Sequence, residues 1–258
     1  MLMALDIGNS DICGGLFDEK ENLHVQFRKS SKHSFTSDEL GIFLRSVLRE
    51  NQIDPAEISG ISMCSVVPSF IHSFKNCCAK YFQITPFILS SHSKTGIQIQ
   101  YKNPLELGSD RIANAIAASH LFKNEDVIII DFGTATTFCV LTKDKDYLGG
   151  AIIPGLRTAM ESLEAKTARL PNVEIVIPEP VIGKTTVENI QSGLYFGTMG
   201  MVRELTQLMK KEGFGPKSSP RVIATGGFAS LFAEAGIFDI EIPDLTLRGL
   251  LYAYRCSM

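Results

Sequence analysis

Asp6-Ile7-Gly8-Asn9-Ser10 and Asp131-Phe132-Gly133-Thr134-Ala135 share one design: an aspartate and a glycine turn directly after a short apolar run, residues 2–5 in one case and 127–130 in the other. Glycine accepts a tight turn without a Cβ penalty, and the amides beyond it can donate to phosphate oxygens. Aspartate is itself an anion, so its natural partner at such a turn is a cation such as Mg²⁺, held directly or through water. Either turn alone is also consistent with a plain tight hairpin. Met twice, about half a chain apart, the pair predicts a duplicated nucleotide-binding core with a cleft between its halves.

The rest of the composition agrees with a globular α/β protein. A chain of 258 residues with 45% hydrophobic content can bury one large core or two modest ones. Lys plus Arg is 25 and Asp plus Glu is 28, a formal net charge of -3 with no long run of either sign, so no nucleic-acid partner is expected. The six cysteines are scattered, and the adjacent Cys77 and Cys78 are poor partners for a disulfide. The five histidines form no close metal grouping. Met1-Leu2-Met3-Ala4-Leu5 meets Asp6 at once and lacks the length and basic lead of a signal peptide, and no run approaches the roughly 20 residues of a membrane helix. The expected setting is a reducing cytoplasm, with no membrane partner.

Hydrophobic spacing gives the order of elements. Strands are expected at 2–5, 14–17 and 23–28, with a turn at 18–22. A helix is expected over 37–49 from Leu40, Phe43, Leu44, Val47 and Leu48 at helical intervals, starting at Ser37. Residues 60–67 read as a buried strand ended by Pro68, with a helix over 70–81, and an alanine-rich helix follows Leu107-Gly108-Ser109-Asp110-Arg111. The second half repeats the opening: strand 127–130, strand 136–141, turn 143–146, strand 147–153 and a helix through Leu156, Met160 and Leu163. Residues 174–180 are a strand or an extended connector.

A long helix is expected over 187–211, with a break near Gly197 left open. Its glycines Gly193, Gly197 and Gly200 point to close packing against another element. A surface loop (213–216, 218–220), a buried strand (221–225), a short helix (228–235), a strand (237–240) and a terminal helix from Pro243 through Leu250 complete the chain. The seam near 119–126 divides it into a phosphate-binding lobe, 1–118, and a nucleotide-binding and dimerisation lobe, 119–258.

Several residues could carry chemistry. Asp110 is placed to be a general base toward an acceptor hydroxyl, with Arg111 beside it for an anionic substrate; the plainer reading is an N-cap and a surface arginine. Asp131 at the mouth of a buried strand needs a cation or several donors. Thr134, Thr136 and Thr137 crowd Gly133 and can donate, though threonines also simply favour strands. Gly226-Gly227 is read as a third glycine turn that opens a helix with free N-terminal amides, and is assigned to adenine or ribose. Tyr101 could line the acceptor pocket or merely pack. Gly183-Lys184-Thr185-Thr186 lacks an upstream glycine cradle and is not a Walker A loop, so Thr186 is read as a helix cap with a second task toward substrate.

Together these motifs resemble the type III pantothenate kinases, within the superfamily of actin, Hsp70 and sugar kinases. The resemblance rests on residues 6–10, 108–114, 131–137, 149–156, 224–227 and 243–250, and most specifically on Gly108-Ser109-Asp110-Arg111 together with Asp131-Phe132-Gly133-Thr134-Ala135. It implies an α/β fold of duplicated ribonuclease H-like (actin-like ATPase) lobes, with mixed sheets flanked by helices. It implies ATP-dependent phosphorylation of pantothenate to 4'-phosphopantothenate, the first step of coenzyme A biosynthesis, with Asp110 as base.

By the same resemblance Tyr101, Gly108, Ser109, Asp110, Arg111 and Thr186 contact pantothenate. ATP is bound by Asp6, Ile7, Gly8, Asn9, Ser10, Asp11, Ile12, Cys13 and Thr134. Asp131 holds a monovalent cation, K⁺ or NH₄⁺, beside the Mg²⁺ assigned to Asp6, and the protein is a homodimer. One departure stands out, since the family pattern leads to an acid on the strand after Thr137 and this chain has Phe138 and Cys139. Cys13 in the phosphate segment predicts inhibition by thiol reagents. The rival readings are a sugar or polyol kinase of the same superfamily and a non-enzymatic regulator on the same fold.

Overall fold

The computed structural model describes residues 1–215 and 218–257. Pro216 of the expected surface loop lies outside the described residues. The chain folds as two compact units, one built from residues 1–121 with the segment from Asp244 onward, the other from 122–243.

The first unit opens with a meander, β1 (Leu2–Ile7), β2 (Asp11–Phe17) and β3 (Leu23–Ser30), all antiparallel neighbours. After α1 (Ser37–Glu50) the chain adds β4 (Gly60–Ser65) parallel to β1, then α2 (Pro68–Phe82) and β5 (Phe87–Ile88) parallel to β4. The strand order is β3-β2-β1-β4-β5. Leu40, Leu44 and Leu48 of α1 and Phe70, Phe74, Cys77 and Cys78 of α2 join Met3, Leu5 and Ile7 in one core. Helix α1 begins at Ser37, as its spacing suggested, and runs to Glu50. Thr36 is the cap, its hydroxyl accepting from the Glu39 amide while the Glu39 side chain returns to the Thr36 amide. Pro68 does more than stop β4, because its fixed φ and missing N–H suit the first position of α2. A two-residue strand, β6 (Gln98–Ile99), precedes α3 (Ser109–Leu121).

The second unit repeats this plan. β7 (Val127–Phe132), β8 (Ala135–Leu141) and β9 (Asp146–Pro154) form an antiparallel meander, with α4 (Leu156–Lys166) and α5 (Thr186–Gly213) following. β10 (Arg221–Thr225) then runs parallel to β7, and β11 (Ile240–Glu241) parallel to β10. Five of the six strands of its sheet, in the order β9-β8-β7-β10-β11, match β3-β2-β1-β4-β5 strand for strand.

Some local expectations change. α5 is one continuous helix with no break at Gly197, and it is capped by Thr185, not Thr186. Its glycines do not mark close packing within the chain, since a Cβ at Gly193, Gly197 or Gly200 would meet nothing within 4 Å. Residues 174–180 are a connector without a strand. The segment 228–235 is not an α-helix but a 3-10 turn at Ala229–Phe232, drawn tight where Phe232 stacks between Phe132 and Tyr195 at 5.1 and 5.0 Å.

The terminal helix α6 (Leu245–Ser257) starts two residues after Pro243 and runs beyond Leu250. It belongs to the first unit, whereas the expected division at 118/119 placed it with the second. Ser62 Oγ donates to the Leu250 carbonyl at 2.8 Å, Thr246 Oγ1 to Asn114 Oδ1 at 2.8 Å, and Tyr252 stacks on His120 at 3.8 Å. These contacts lie far apart in sequence, which local periodicity cannot reveal. Gly249 lets α6 approach α3, since any Cβ there would overlap the Ala113 backbone. Gly249→Ala is therefore expected to destabilise the protein by about 1–3 kcal/mol through overpacking, despite alanine's better helix propensity. Urea unfolding checks this, and a variant as stable as the parent would show that α6 shifts freely.

Candidate active site

Both acidic turns grow from the same strand geometry. β1 reads Leu-Met-Ala-Leu-Asp-Ile and β7 reads Val-Ile-Ile-Ile-Asp-Phe, and in each the aspartate is the one residue not fully buried. Asp6 and Asp131 thus sit inside the ends of their strands, opposite Cys13 and Thr137, and not in the loops that follow.

In the first unit the Gly8 amide donates to the Asp11 carbonyl at 2.9 Å, closing a short hairpin over Asn9 and Ser10. The side chains of Ile7 and Ile12 are buried in the core, so only their main chain can face a ligand. Ser31, which no motif singled out, fastens this turn: its hydroxyl donates to the Gly8 carbonyl at 2.8 Å and its amide to the Ser10 carbonyl at 2.9 Å. Cys64 was missed as well. Its thiol donates to Asp6 Oδ1 at 3.2 Å, and burial, reinforced by the charges of Asp6 and Asp110, pushes its pKa well up, so the thiol remains a donor.

Asp110 lies in the first turn of α3, where Oδ1 accepts the Arg111 amide at 2.8 Å. A Cβ at residue 108 would overlap that same oxygen, so Gly108 is the space that the carboxylate occupies. Burial raises the Asp110 pKa, opposed by the Arg111 amide and guanidinium. Arg111 is no surface residue: it is 6% exposed, and its Nη1 donates to Tyr101 Oη at 3.2 Å. Ser109 Oγ donates to the Ser65 carbonyl at 3.1 Å, tying the start of α3 to the end of β4. The structure thus joins Tyr101, Gly108, Ser109, Asp110 and Arg111 in one cluster of the first unit.

In the second unit the turn after β7 is closed by the Gly133 amide on the Ala135 carbonyl at 3.2 Å. The Thr134 carbonyl accepts the Gly155 amide at 3.2 Å and the Thr158 hydroxyl at 2.6 Å, two contacts without a sequence signal. Gly226, at φ +93°, lies against Asp131: a Cβ there would overlap Asp131 Oδ1 and the Phe132 backbone. Because the following turn is too short to offer a helix N-terminus, the reading of Gly226-Gly227 as the opening of a helix with free amides does not hold. The Phe228 amide is taken by the Phe132 carbonyl at 3.2 Å. Thr186 is exposed at the start of α5 and lines an apolar groove with Leu163, Leu170, Ile190 and Leu194. The Lys184 and Thr185 amides donate to Glu188 Oε2 at 2.6 and 3.2 Å, which leaves no phosphate cradle at Gly183. Phe138 and Cys139, where an acid was expected, are buried in the apolar interior, and Cys139 accepts the Tyr147 hydroxyl at 3.2 Å.

Among the described residues no three His, Cys, Asp or Glu side chains gather as a ready metal cage. Lone carboxylates suit Mg²⁺ delivered with a nucleotide, which keeps waters and phosphate oxygens among its ligands.

Duplicated α/β units, each ending a buried strand in an acid and a glycine turn, define the class of actin-like ATPases and sugar kinases. A Campylobacter jejuni protein bearing the name of the Baf family of transcriptional activators aligns at a TM-score of 0.61 with 17% identity, covering 98% of this chain and 97% of its own. A Sinorhizobium meliloti protein assigned as a 2-dehydro-3-deoxygalactonokinase aligns at 0.58 with 12% identity, covering 99% and 98%. At such identities these likenesses show the fold alone. The family model for type III pantothenate kinase matches residues 2–208, and the type III pantothenate kinase of Legionella pneumophila (strain Corby) is 53% identical over 254 residues, 98% of each chain. The chain belongs to the type III pantothenate kinase family.

The expected sensitivity to thiol reagents is corrected by the position of Cys13. It lies within β2 and not in the turn, and burial pushes its thiol up to about 11. At pH 7.5 roughly one thiol in a few thousand is then ionised, and the thiolate is the reactive form. Iodoacetamide followed by peptide mass spectrometry should label exposed Cys256 first and leave Cys13 and activity intact. Rapid Cys13 labelling with loss of turnover, prevented by ATP, would restore the sequence reading.

Proposed function

We propose that Asp110 is the general base in the phosphorylation of pantothenate by ATP, with Arg111 and Tyr101 holding the pantothenate carboxylate. As a member of its family the chain is a pantothenate kinase, making 4'-phosphopantothenate in the first step of coenzyme A biosynthesis and using ATP with a divalent metal. The observation that carries the residue assignment is a half-buried carboxylate one position before a buried guanidinium that is already bonded to a tyrosine.

Phosphoryl transfer asks little covalent chemistry of the protein: the acceptor hydroxyl must be held in line and its proton accepted late. A carboxylate whose pKa is raised by burial is, in its ionised form, a better base than an ordinary aspartate. The guanidinium of Arg111 offers fixed donors to the single carboxylate of pantothenate, a group that neutral sugars and polyols lack. That contrast favours pantothenate over the sugar-kinase reading on the site's own chemistry.

In this reading the turn that Gly8 closes, with Asn9, Ser10, Asp11 and the main chain of Ile7, Ile12 and Cys13, binds the ATP phosphates, and Asp6 serves their Mg²⁺. Thr134 donates to the nucleotide and Gly226-Gly227 flank its base or ribose. Asp131, against which Gly226 packs closely, supplies hard carboxylate oxygen to K⁺ or NH₄⁺. A bound cation of this kind supplies fixed positive charge beside the phosphates. Thr186 is a further pantothenate contact, the open face at Gly193, Gly197 and Gly200 is a homodimer surface, and the enzyme works in the cytoplasm.

Replacing Asp110 separates chemistry from stability. Asp110→Asn should lower turnover by about 10²-fold or more while ATP binding persists. Because the folded state raises this pKa, protonated Asp110 contributes stability fully below its ordinary value, and that contribution is lost as pH rises through the folded value. The uncharged amide escapes this loss, so the variant's Tm should exceed the parent's at pH 7.5 and converge on it in acid. Near-normal turnover would remove Asp110 as base.

Asp131→Ala should flatten the dependence of turnover on K⁺ and NH₄⁺. An unchanged cation response, with the fold intact by circular dichroism, would place the cation elsewhere.

A further inference from the structure

The end of β4 holds two acidic elements of the first unit at once. Asp6 of β1 pairs with Cys64 of β4 in parallel register, and Ile7 pairs with Ser65. Residues so matched lie side by side on one face of a sheet. From that position the Cys64 thiol donates to Asp6 Oδ1 at 3.2 Å. One residue on, the Ser65 carbonyl accepts Ser109 Oγ at 3.1 Å, beside Asp110 at the start of α3. The strand end itself has little freedom. The Val66 amide donates to the Ile7 carbonyl at 3.2 Å, which extends the ladder between β1 and β4 past Cys64. Ser65 Oγ donates to the Val67 carbonyl and accepts the Val67 amide, both at 3.0 Å. A donor carried on a paired strand is placed more precisely than one on a loop.

Burial defines what the thiol can do. Cys64 is 0% exposed whereas Asp6 is half-buried, so a molecule binding from solvent cannot touch the thiol, which acts only through the carboxylate. Nor does the thiol need the bond for its own sake, because a buried cysteine behaves as a small hydrophobe. The carboxylate is the partner that gains, since a charge at the end of a buried strand needs donors. A thiol has a single proton to give, so it holds one of the two oxygens and with it the plane of the group.

We propose that Cys64 is a positioning residue for the metal-bound nucleotide: its thiol orients the Asp6 carboxylate toward the Mg²⁺ that accompanies ATP. The inference rests on the reading of Asp6 as the residue that serves Mg²⁺. Hydrogen bonds to a ligating carboxylate fix its orientation, and losing one costs about 10- to 100-fold in metal affinity or activity. The effect expected here lies at the lower end of that range, because a thiol is a weak donor.

The test measures binding of the β,γ-imido analogue of ATP to the whole protein by calorimetry, once with saturating Mg²⁺ and once with EDTA, so that the gain due to the metal is read separately. Cys64→Ala should weaken binding of the Mg²⁺ complex about tenfold and leave metal-free binding within about twofold of the parent. Cys64→Val, a fuller apolar replacement, should do the same, and Cys64→Ser, which puts a donor back, should restore most of the lost affinity. Circular dichroism verifies that each variant is folded. In the unmodified protein the Cys64 S–H Raman band, identified by its loss in Cys64→Ser, should shift when the Mg²⁺ complex binds and stay in place when the analogue binds with EDTA. The assignment is overturned if the folded apolar variants bind the Mg²⁺ complex as tightly as the parent, if they weaken both forms alike, if serine restores nothing, or if the band ignores the metal. Asp6→Asn separates this from the metal assignment beneath it. If Asp6→Asn keeps the gain due to Mg²⁺, the reading of Asp6 fails and takes the Cys64 role with it. If Asp6→Asn loses that gain while Cys64→Ala keeps it, the Cys64 role alone fails.

Discussion

A carboxylate at the end of a buried strand is unfavourable unless a donor, a proton or a cation compensates it, and both units of this chain are built around that constraint. Asp6 and Asp131 each interrupt a strand whose other residues are buried. The surroundings answer in different ways. The Cys64 thiol donates to Asp6, whereas Asp131 lies so close to Gly226 that a Cβ there would overlap its Oδ1. Asp110 meets a third answer: its burial is tolerated by a shift toward the neutral form. Local rules of burial are broken at all three positions, which is where a functional site is expected to break them.

The two sheets show how little sequence identity a shared architecture needs. β1 and β7 carry the same alternation of burial, as do β2 and β8, and the strand orders coincide. The residues that do it differ. Gly14 and Gly15 occupy β2 where Phe138 and Cys139 occupy the corresponding part of β8. In the first sheet a Cβ at Gly14 would overlap the Phe27 ring, whereas in the second Phe138 itself fills the interior. One partner of each pair supplies the volume, and which one does so is free to vary. The acid suggested for this stretch by the family pattern would have entered that same apolar interior.

This division explains what the sequence made legible. The two acidic turns, the meanders and the alanine-rich helix could be read because each rests on a local signal: a breaker after an apolar run, or a period of two or 3.6. The Asp110 cluster could be read in part, since Gly108, Asp110 and Arg111 are neighbours in the chain, but the burial of Arg111 against Tyr101 is a tertiary fact. Ser31, Cys64, Gly155 and Thr158 were not legible at all. Each acts through one or two hydrogen bonds or a close backbone approach to a turn or strand end distant in sequence, and such a residue in an unremarkable context gives no sign of it. The long α5 was legible as a helix, and only its continuity was left open: three glycines weaken local propensity, yet the Thr185–Glu188 capping box and the buried face through Ile190, Leu194, Tyr195 and Val202 carry the helix through them.

The terminal helix ties these threads to catalysis. Solved structures at 12% and 17% identity share this fold while bearing unrelated names, so the fold by itself does not choose the reaction. The proposed acceptor site lies in the first turn of α3, and α3 is held by a segment more than a hundred residues away. Gly249 brings α6 onto the backbone at Ala113, and Thr246 bonds Asn114, one helical turn beyond the Asp110 carboxylate. A base must stay within a fraction of an ångström of its acceptor, and a helix clamped along its buried face keeps that tolerance better than a loop would. Returning the last helix to the first unit is therefore more than an accident of chain order: it fixes the helix on which the acceptor chemistry is proposed to depend, at a place no local pattern in the last fifteen residues announces.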